Sequence, residues 1–281
     1  MKKIKNDNTN KVLSILYDRK IGRLILKPLV SSPVISNIVG FLLDRKISCI
    51  LIKRFVKNNN IDINLFEGEK YKSFNDFFIR KIKLENRPYS KRKNDFIAPC
   101  DSKLTVYKID KETNFIIKNT VYSVSSLIND DELSKEYLNG YAMVFRLSPE
   151  DYHRYYYIDN GKVFKNYKIK GKFHTVNPIV YDRFEVFKEN SRECTIINTE
   201  NFGKIIYVEV GALLVGKICN HNQNKLVRKM DEKGYFKYGG STVVLLVKKN
   251  VLDIDKEILN NSKDGYETYV NLGEKIGEKQ K

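Results

Sequence analysis

The sequence predicts an α+β fold in which amphipathic helices at the N-terminus precede a mostly antiparallel, β-rich body. Up to about residue 57, apolar residues recur at intervals of three and four positions, as in helices that bury one face. From about residue 96 the chain changes to short runs of β-branched and aromatic residues, which are typical of strands. Turn signals such as Asn139-Gly140 and Asp159-Asn160-Gly161 separate these runs.

Residues 1–60 are predicted to form a basic helical region. They contain 13 Lys or Arg residues and three Asp residues. Pro28 and Pro33 interrupt the first apolar pattern, and a second pattern runs from Val34 to about Val56, so we expect two or three helices. Apolar faces bordered by Lys and Arg suit helices that lie in a bilayer interface and associate with the membrane. The same faces could instead pack on the rest of the protein and leave a basic side in solvent.

Residues 61–281 are expected to form the β-rich domain. Asn58-Asn59-Asn60 is a polar joint that marks its boundary with the helical region. Ser73 is a suitable N-cap for a short amphipathic helix that continues to Lys81, and another helix is expected over residues 123–137. Strands are expected at residues 104–107, 115–117, 142–145, 195–197, 205–210 and 242–247.

The bulk composition limits the classes of function. The formal net charge of +17 favours acidic partners, such as nucleic acid or an anionic membrane surface. No zinc-finger or recognition-helix pattern accompanies this charge, so we expect no nucleic acid. The four cysteines lack CxxC spacing and the three histidines lie far apart, which predicts reduced thiols and no metal site. The polar start predicts no signal peptide, and no charge-free apolar stretch is long enough to predict a membrane-spanning helix.

The segment Gly239-Gly240-Ser241-Thr242 is the most informative short motif of the chain. It precedes the apolar run from Val243 to Val247, which has the composition of a buried strand. Two glycines give the backbone access to conformations that other residues avoid, and the strand fixes the other side of the serine. The position therefore suits a strained peptide bond before Ser241. On its own, however, such a segment is usually only a turn.

Several other motifs accompany this one. In chain order they are Phe74-Asn75-Asp76-Phe77-Phe78-Ile79-Arg80-Lys81, Pro99-Cys100-Asp101, Arg146-Leu147-Ser148-Pro149-Glu150-Asp151-Tyr152-His153-Arg154, Thr175-Val176-Asn177-Pro178, Phe202-Gly203-Lys204, Val210-Gly211-Ala212 and Val215-Gly216. Each is weak alone, whereas their joint occurrence in this order is specific. Over roughly residues 71–281 the chain resembles the phosphatidylserine decarboxylase proenzymes, a pyruvoyl-dependent family whose members carry a Gly-Ser-Thr motif in this place.

The resemblance implies an enzyme that cleaves itself. In the family, the serine at the position of Ser241 attacks the preceding carbonyl, here that of Gly240. The chain then divides into fragments 1–240 and 241–281, which form a heterodimer, and further assembly into a homo-oligomer stays open. The smaller fragment begins with a covalent pyruvoyl group derived from Ser241, which forms a Schiff base with the substrate and acts as an electron sink.

The implied reaction is the decarboxylation of phosphatidylserine to phosphatidylethanolamine and CO2. Because the substrate is a membrane lipid, the resemblance implies phosphatidylserine and an anionic membrane surface as partners. The expected location is peripheral, on the cytoplasmic side of the cell membrane.

The resemblance also implies particular site residues. Asp101 matches the aspartate of the family's Asp-His-Ser cleavage set, although Ser102 replaces the usual glycine after it. His153 matches the first histidine of the pattern Asp-Tyr-His-Arg-x-His, which the family uses in decarboxylation. The second histidine belongs to the cleavage set, and this chain has Tyr156 in its place. A neutral tyrosine, with a pKa of about 10, is a poor base at neutral pH.

The departure at Tyr156 leaves three interpretations open. His153 could serve in both reactions, or His174 could supply the base from a neighbouring strand. Alternatively, self-cleavage is slow or lost, and the chain stays whole without its prosthetic group. His221 lies in a polar loop and is expected to have no role, and the small residues around Gly211 are expected to give structural support.

Two alternatives to a phosphatidylserine decarboxylase follow from the same observations. One is a pyruvoyl-dependent decarboxylase of another amino-group substrate, although a soluble substrate would not need the basic, apolar N-terminal region. The other is not an enzyme, but a cleavage-deficient relative or another basic protein that binds lipid or nucleic acid.

Overall fold

The computed structural model describes residues 2–5, 33–68, 70–110, 112, 114–117, 120–171, 189–211, 217–221, 225–237 and 241–280. Within them helices and strands are mixed and the strand pairs are antiparallel, so the coarse α+β prediction is confirmed. The described strands are β1 (Lys2–Lys5), β2 (Asp95–Ile97), β3 (Ser102–Lys108), β4 (Asn114–Ile117), β5 (Thr120–Ser123), β6 (Tyr141–Leu147), β7 (Arg154–Tyr156), β8 (Gly161–Ile169), β9 (Arg192–Thr199), β10 (Gly203–Val210), β11 (Ile218–Asn220), β12 (Leu226–Val227), β13 (Glu232–Phe236), β14 (Ser241–Val247), β15 (Leu252–Ile254), β16 (Tyr266–Val270) and β17 (Lys275–Lys279). The described α-helices are α1 (Pro33–Leu43), α2 (Ile50–Asn58), α3 (Phe74–Phe78), α4 (Val124–Ile128), α5 (Asp131–Lys135) and α6 (Lys256–Lys263).

A nine-stranded sheet forms the centre of the body. Its strand order is β1-β16-β3-β6-β14-β10-β9-β8-β12, with antiparallel neighbours throughout. Strand β14 lies in the middle, between β6 and β10. All seven of its residues are buried, because both faces of the sheet are covered there.

The two faces of this large sheet bury different sets of side chains. Along β14, Val243, Leu245 and Val247 belong to one apolar cluster, which lies on what we call the first face. Val244 and Leu246 belong to another cluster, on the second face. This alternation is that of an extended strand, whose successive side chains point to opposite faces.

A small three-stranded sheet, in the order β11-β13-β7, covers the first face. Tyr155 of β7 and Phe236 of β13 belong to the same cluster as Val243. The second face is covered by the β4–β5 hairpin and α4, which contribute Tyr122 and Leu127 to the other cluster. A further small sheet has the order β15-β17-β2.

Each of the six runs predicted as strands lies inside a described strand, so these predictions are confirmed. The helix expected over residues 123–137 instead forms two short helices, α4 and α5. Asn129 separates them because it takes a left-handed conformation, with φ of 54°, at the end of α4. Strands β7 and β13 were not predicted, since short runs that contain charged residues give no clear alternation.

The second apolar segment of the helical region forms α1 and α2, with a 3-10 turn (Lys46–Cys49) between them. This turn contacts α3, because the Ser48 hydroxyl accepts a hydrogen bond from the Phe74 N–H at 2.8 Å. Ser73 caps α3 as predicted, with its hydroxyl accepting from the Asp76 N–H at 3.1 Å. The first apolar segment, within residues 6–32, lies outside the described residues, so the amphipathic character of the whole region stays a prediction.

Candidate active site

Ser241 is the first residue of the central strand β14. Its side chain is fully buried, and its hydroxyl has no hydrogen-bond partner among the described residues. Leu147 of β6 lies directly opposite on one side. On the other side the register with β10 ends at the pair Val210 and Thr242, and Gly211 is the next residue along the chain. Because Gly211 has no side chain, none covers the hydroxyl from that position. A buried hydroxyl without a partner costs about 1–3 kcal/mol, so its presence calls for a functional explanation.

The segment before Ser241 connects two sheets. Strand β13 ends at Phe236 in the small sheet, and β14 begins at Ser241 in the large sheet, so residues 237–240 make the whole connection. Gly239 and Gly240 belong to this connection and lie outside the described residues. The peptide bond between residues 240 and 241 therefore has a fixed strand on one side and a short link between sheets on the other.

Asp101 lies directly before β3 and is almost completely buried. The Arg87 guanidinium contacts both of its carboxylate oxygens, Nε at 2.9 Å from Oδ1 and Nη2 at 2.5 Å from Oδ2. The Leu272 N–H also donates to Oδ1, at 2.7 Å. Asp101 is thus a firmly held anion. Ser102 does not take a positive φ, so this chain does not need the glycine that the resembled family usually has there.

A cavity of about 470 Å³ lies beside Asp101. Two cations, Arg87 and Lys103, and several carboxylates line it, among them Asp101, Glu150 and Asp151. The Lys103 ammonium lies 2.8 Å from the Glu150 carboxylate and 3.8 Å from that of Asp151. Because carboxylates already balance both cations, the cavity suits a group that carries charges of both signs better than a simple anion.

Asp101 and Ser241 lie at the same end of the strands of the large sheet, but on opposite faces of it. Lys103, which shares the cavity wall with Asp101, alternates with Leu104 of the first-face cluster and so lies on the second face. Ser241 has the parity of Val243 and lies on the first face. Since β6 separates β3 from β14, the two strands are about 10 Å apart.

His153 lies directly before β7 and is fully buried. Its Nδ1 is 2.9 Å from the Asp151 carbonyl oxygen, and because a carbonyl only accepts, Nδ1 carries the proton. The lone pair of the neutral ring is therefore on Nε2, the atom that can take up a proton. The ring packs against Phe78 at 4.1 Å between centroids, and the His153 carbonyl accepts from the Phe236 N–H at 2.9 Å. These contacts hold the imidazole between α3 and the small sheet.

Asp151 is an acid with a strongly shifted pKa. Burial raises the pKa of its carboxyl to about 7, although Lys103 acts in the opposite direction. The Ser148 N–H donates to its Oδ2 at 2.7 Å. A carboxyl that titrates near neutral pH is a common feature of active sites. Asp151 was not predicted as a site residue, although it begins the Asp-Tyr-His-Arg motif.

Tyr156 stands where the resembled family has its second histidine. Its hydroxyl lies 2.9 Å from the Tyr152 hydroxyl and 3.5 Å from Glu232 Oε2. Burial raises the pKa of Tyr156 to about 12, which makes it a still weaker candidate for a base. The other oxygen of Glu232 contacts His221 Nε2 at 2.8 Å and Arg154 Nη1 at 2.6 Å. Tyr156 is thus linked to His221 through one carboxylate, a contact that the polar loop around His221 gave no reason to expect.

The three site residues that the structure describes lie near the same end of the strands of the large sheet. Ser241 begins β14, Asp101 precedes β3, and His153 lies in the segment that leaves β6. His174, the proposed substitute base, lies outside the described residues. The roles of all four residues stay predictions.

Comparison with known proteins shows the family. A family model described as phosphatidylserine decarboxylase matches residues 74–278. A Clostridium acetobutylicum protein named phosphatidylserine decarboxylase proenzyme 2 is 48% identical over 269 residues, which cover 96% of this chain and 92% of that protein. The chain belongs to the phosphatidylserine decarboxylase family. Relatives named phosphatidylserine decarboxylase proenzyme occur in Clostridium botulinum, at 45% identity with 96% and 93% of the two chains covered, and in Clostridium tetani, at 44% identity with 96% and 92% covered.

A fully buried charged pair was not predicted from the sequence. Glu209 lies in the otherwise apolar strand β10, and its carboxylate meets the ammonium of Lys233 on β13 at 2.9 Å. Glu209 could have been noticed in the sequence, because it is the carboxylate in an otherwise apolar strand and a buried charge needs a partner. The partner itself could not be identified from the sequence.

Proposed function

We propose that the chain cleaves itself between Gly240 and Ser241 and then decarboxylates phosphatidylserine to phosphatidylethanolamine and CO2. As a member of the phosphatidylserine decarboxylase family the chain is a carboxy-lyase, and its curated relatives are named as proenzymes. The observation that carries the proposal is the state of Ser241. Its hydroxyl is buried without a partner among the described residues, at the fixed end of a strand and directly after two glycines.

The surroundings of Ser241 fit the pyruvoyl group that the family implies. The Ser241 hydroxyl has no competing hydrogen bond within the described part of the chain, and Gly211, the residue after the paired part of β10, contributes no side chain. These features leave the start of β14 suited to a small carbonyl group. Such a group would supply the electrophilic carbonyl and the electron sink that decarboxylation of an amino-group substrate needs.

Two further residues are proposed to act beside Ser241. His153 carries its lone pair on Nε2 and is held in one orientation, which suits the transfer of a proton during decarboxylation. Asp101 is proposed to belong to the cleavage set, as the family resemblance implies.

After cleavage, fragments 1–240 and 241–281 are expected to stay together as a heterodimer. Strand β14 is hydrogen-bonded between β6 and β10, and β16 is hydrogen-bonded between β1 and β3. Separation of the fragments would expose β14, whose residues are all buried. We therefore expect the two fragments to elute together in size-exclusion chromatography and to separate only in denaturant.

The variant Ser241→Ala tests the proposal. Wild type should give two fragments by denaturing gel and intact mass and should release CO2 from phosphatidylserine, whereas the variant should stay whole and release none. Thr195→Val is the matched control, because Thr195 also has a buried hydroxyl without a partner among the described residues, but on β9, two strands from β14. This control should cleave and turn over as wild type does.

Three results would contradict the proposal. The first is wild-type protein that remains one intact chain, and the second is CO2 release by Ser241→Ala. The third is decarboxylation of free serine as fast as that of phosphatidylserine, which would favour a decarboxylase of another amino-group substrate.

We further propose that α1, α2 and the turn between them bind an anionic bilayer. Large apolar side chains of this segment are exposed, with Ile47 and Ile50 at about 80%. The other exposed apolar residues are Ile38, Phe41, Leu42 and Leu51. Exposed basic residues lie among them, namely Arg45, Lys46, Lys53, Arg54 and Lys57. Apolar contact combined with basic charge is what holds a helix in a membrane interface. None of the described helices has the length and apolar character that crossing a bilayer requires.

Sedimentation with vesicles tests this membrane surface. The double variant Ile47→Ser/Ile50→Ser should bind vesicles that contain phosphatidylserine more weakly than wild type. Binding of wild type should also weaken as salt is raised, because each basic residue contributes about 1 kcal/mol that salt screens. Phe164→Ser is the control, since Phe164 is 74% exposed but lies on β8. Equal binding by wild type and the double variant would contradict the proposal.

A further inference from the structure

A buried ion pair joins the large sheet to the small sheet that covers its first face. Glu209 of β10 is 0% exposed and Lys233 of β13 is 1% exposed, with 2.9 Å between Lys233 Nζ and Glu209 Oε1. Burial of two charges is costly unless each finds a partner and further hydrogen bonds. The structure thus places a carboxyl group and an amino group in contact in the layer where the two sheets meet.

Asn220 and the aromatic rings around Lys233 hold this pair in position. Asn220 Nδ2 donates to Glu209 Oε2 at 3.0 Å, and Asn220 Oδ1 accepts from Lys233 Nζ at 3.0 Å and from the Tyr155 hydroxyl at 2.9 Å. The ammonium also lies 5.7 Å and 5.6 Å from the ring centroids of Tyr155 and Tyr207. The Glu209 carboxylate is therefore fixed from the side of the small sheet.

The register of β10 and β14 places Glu209 close to Ser241. Glu209 is paired with Val243, and Ser241 comes two residues before Val243 on the same face of the sheet. Such diagonal neighbours lie about 7–8 Å apart, with somewhat less between their Cβ atoms. The pairing of β10 with β14 ends at Val210 and Thr242, and the next residue, Gly211, has no side chain, so no further β10 side chain on this face follows Glu209 towards Ser241.

Asp101 and Tyr156 are less suited to take the serine proton in the described structure, and His174 lies outside the described residues. His153, whose ring packs against Phe78, stays an alternative base. Asp101 lines the cavity with Lys103, which lies on the second face, and its carboxylate is already held by Arg87 and by the Leu272 N–H. Tyr156 carries a phenol whose pKa burial raises to about 12. Glu209, by contrast, is a carboxylate on the same face of the sheet as Ser241.

Glu209 keeps the capacity to accept a proton. Lys233 Nζ contacts Oε1 at 2.9 Å and Asn220 Nδ2 contacts Oε2 at 3.0 Å, so each oxygen has one donor and keeps a second lone pair that can accept a proton. Burial raises the pKa of the carboxyl, against the lowering effects of Lys233 and Asn220. The titratable groups that face it are Lys233 of β13, Glu193 directly opposite on β9, Tyr155 of β7, Tyr157, and Tyr207 of its own strand.

We propose that Glu209 is the residue that accepts the Ser241 hydroxyl proton during self-cleavage, and that Lys233 is the positioning residue that holds its carboxylate. As the proton passes to Glu209, Ser241 Oγ forms a bond to the Gly240 carbonyl carbon. Glu209 returns the proton to the Ser241 nitrogen as the bond between this nitrogen and the Gly240 carbon breaks. The step yields an ester and a free amino group, with no atom gained or lost. The inference rests on the self-cleavage proposed above.

Cleavage of the newly made full chain tests the inference. The chain is produced by cell-free translation with labelled leucine, and the fractions of whole chain and fragments are followed over time on a denaturing gel. Glu209→Gln should slow cleavage by about 100-fold or more, the size of a general-base contribution. Glu209→Asp keeps a carboxylate and should cleave at least about tenfold faster than Glu209→Gln. Glu193→Gln is the matched control, because it removes a buried carboxylate one strand further away, and it should cleave within a few-fold of wild type.

The pH dependence of cleavage separates proton transfer from a structural role. In wild type the rate should rise with pH as Glu209 loses its proton, and the residual cleavage of Glu209→Gln should lack this rise. Lys233→Met should move the rise to higher pH, because the cation that stabilises the carboxylate is gone, and Lys233→Arg should largely restore the wild-type profile. Thermal melting of each whole chain shows which variants are folded.

Several outcomes would overturn the inference. Folded Glu209→Gln that cleaves at the wild-type rate removes Glu209 from the reaction, and so does an unchanged pH profile in that variant. Equal slowing by Glu209→Gln and Glu193→Gln would show that buried charge in general supports the fold. These results are distinct from failure of the proposed function, in which wild type itself would not cleave.

Discussion

Two ion pairs, Arg87–Asp101 and Lys233–Glu209, lie on opposite faces of the large sheet. They consist of similar groups but differ in their exposure to solvent. The side chains of Arg87 and Asp101 are 13% and 4% exposed and line the cavity that lies towards the second face. Those of Lys233 and Glu209 are 1% and 0% exposed and lie between two sheets on the first face. One pair therefore borders a space where water or substrate can enter, and the other is sealed.

The two carboxylates also differ in their hydrogen bonds. Asp101 accepts two hydrogen bonds from Arg87 and one from the Leu272 N–H, so both of its oxygens are occupied. Glu209 has one donor on each oxygen, Asn220 Nδ2 at 3.0 Å and Lys233 Nζ at 2.9 Å. Asp101 thus accepts from three donors and Glu209 from two, so Glu209 keeps more of its lone pairs for a proton.

The largest predicted effect comes from removing the cation of each pair in a Ser241→Ala background, where every chain stays whole. Lys233→Met should lower the free energy of unfolding by about 3–5 kcal/mol, because it leaves a buried carboxylate without its counter-charge. Arg87→Met should cost only about 1–2 kcal/mol, since water in the cavity can solvate Asp101. Urea unfolding followed by circular dichroism measures both losses. Equal losses would show that the difference in burial does not matter.

The next largest effect concerns Asp151, which lines the cavity, and the pH dependence of the free energy of unfolding. Burial raises the pKa of Asp151 to about 7 in the folded chain, so the folded chain binds this proton more tightly than the unfolded chain. The resulting stability is fully present below about pH 4 and is lost as the pH rises through 7. Between pH 5 and pH 7 the loss should be about 2 kcal/mol. Urea unfolding of the Ser241→Ala protein at several pH values measures it.

Asp151→Asn is the control for this pH dependence. The amide does not titrate in this range, and its oxygen can still accept from the Ser148 N–H. Stability in this variant should therefore lose the fall between pH 5 and pH 7. The same fall in both proteins would mean that another group is responsible.

The smallest predicted effect concerns Tyr156→Phe. The change removes the hydroxyl contacts with Tyr152 at 2.9 Å and Glu232 at 3.5 Å and should cost about 1 kcal/mol of stability. Cleavage should proceed at the wild-type rate, because the Tyr156 hydroxyl belongs to neither ion pair. Measurement of fragment formation over time decides this. Clear slowing of cleavage would show that the Tyr156 hydroxyl takes part in proton transfer, which would contradict the assignment of this step to Glu209.

The sequence alone was enough for six of the described strands, for the start of the short helix capped by Ser73, and for the family. That helix ends at Phe78, three residues before the predicted end at Lys81. These features are local, since each depends on residues that are close together along the chain and on the period of two or 3.6 that the backbone imposes. The Gly-Gly-Ser-Thr motif likewise marked Ser241 as the candidate nucleophile. Where local signals conflicted, as at Asn129, the sequence predicted one helix and the backbone formed two.

Only the tertiary structure decided which groups surround these residues. Glu209 meets Lys233, 24 positions away, and Asp101 meets Arg87 and Leu272, because strands from distant parts of the chain pair in one particular register. The alternation of residues along each strand shows which side chains share a face within that strand. It does not show that Glu209 and Ser241, on two different strands, lie on the same face of one sheet. Strand order and register depend on the packing of the whole chain, and no short window of sequence contains that information.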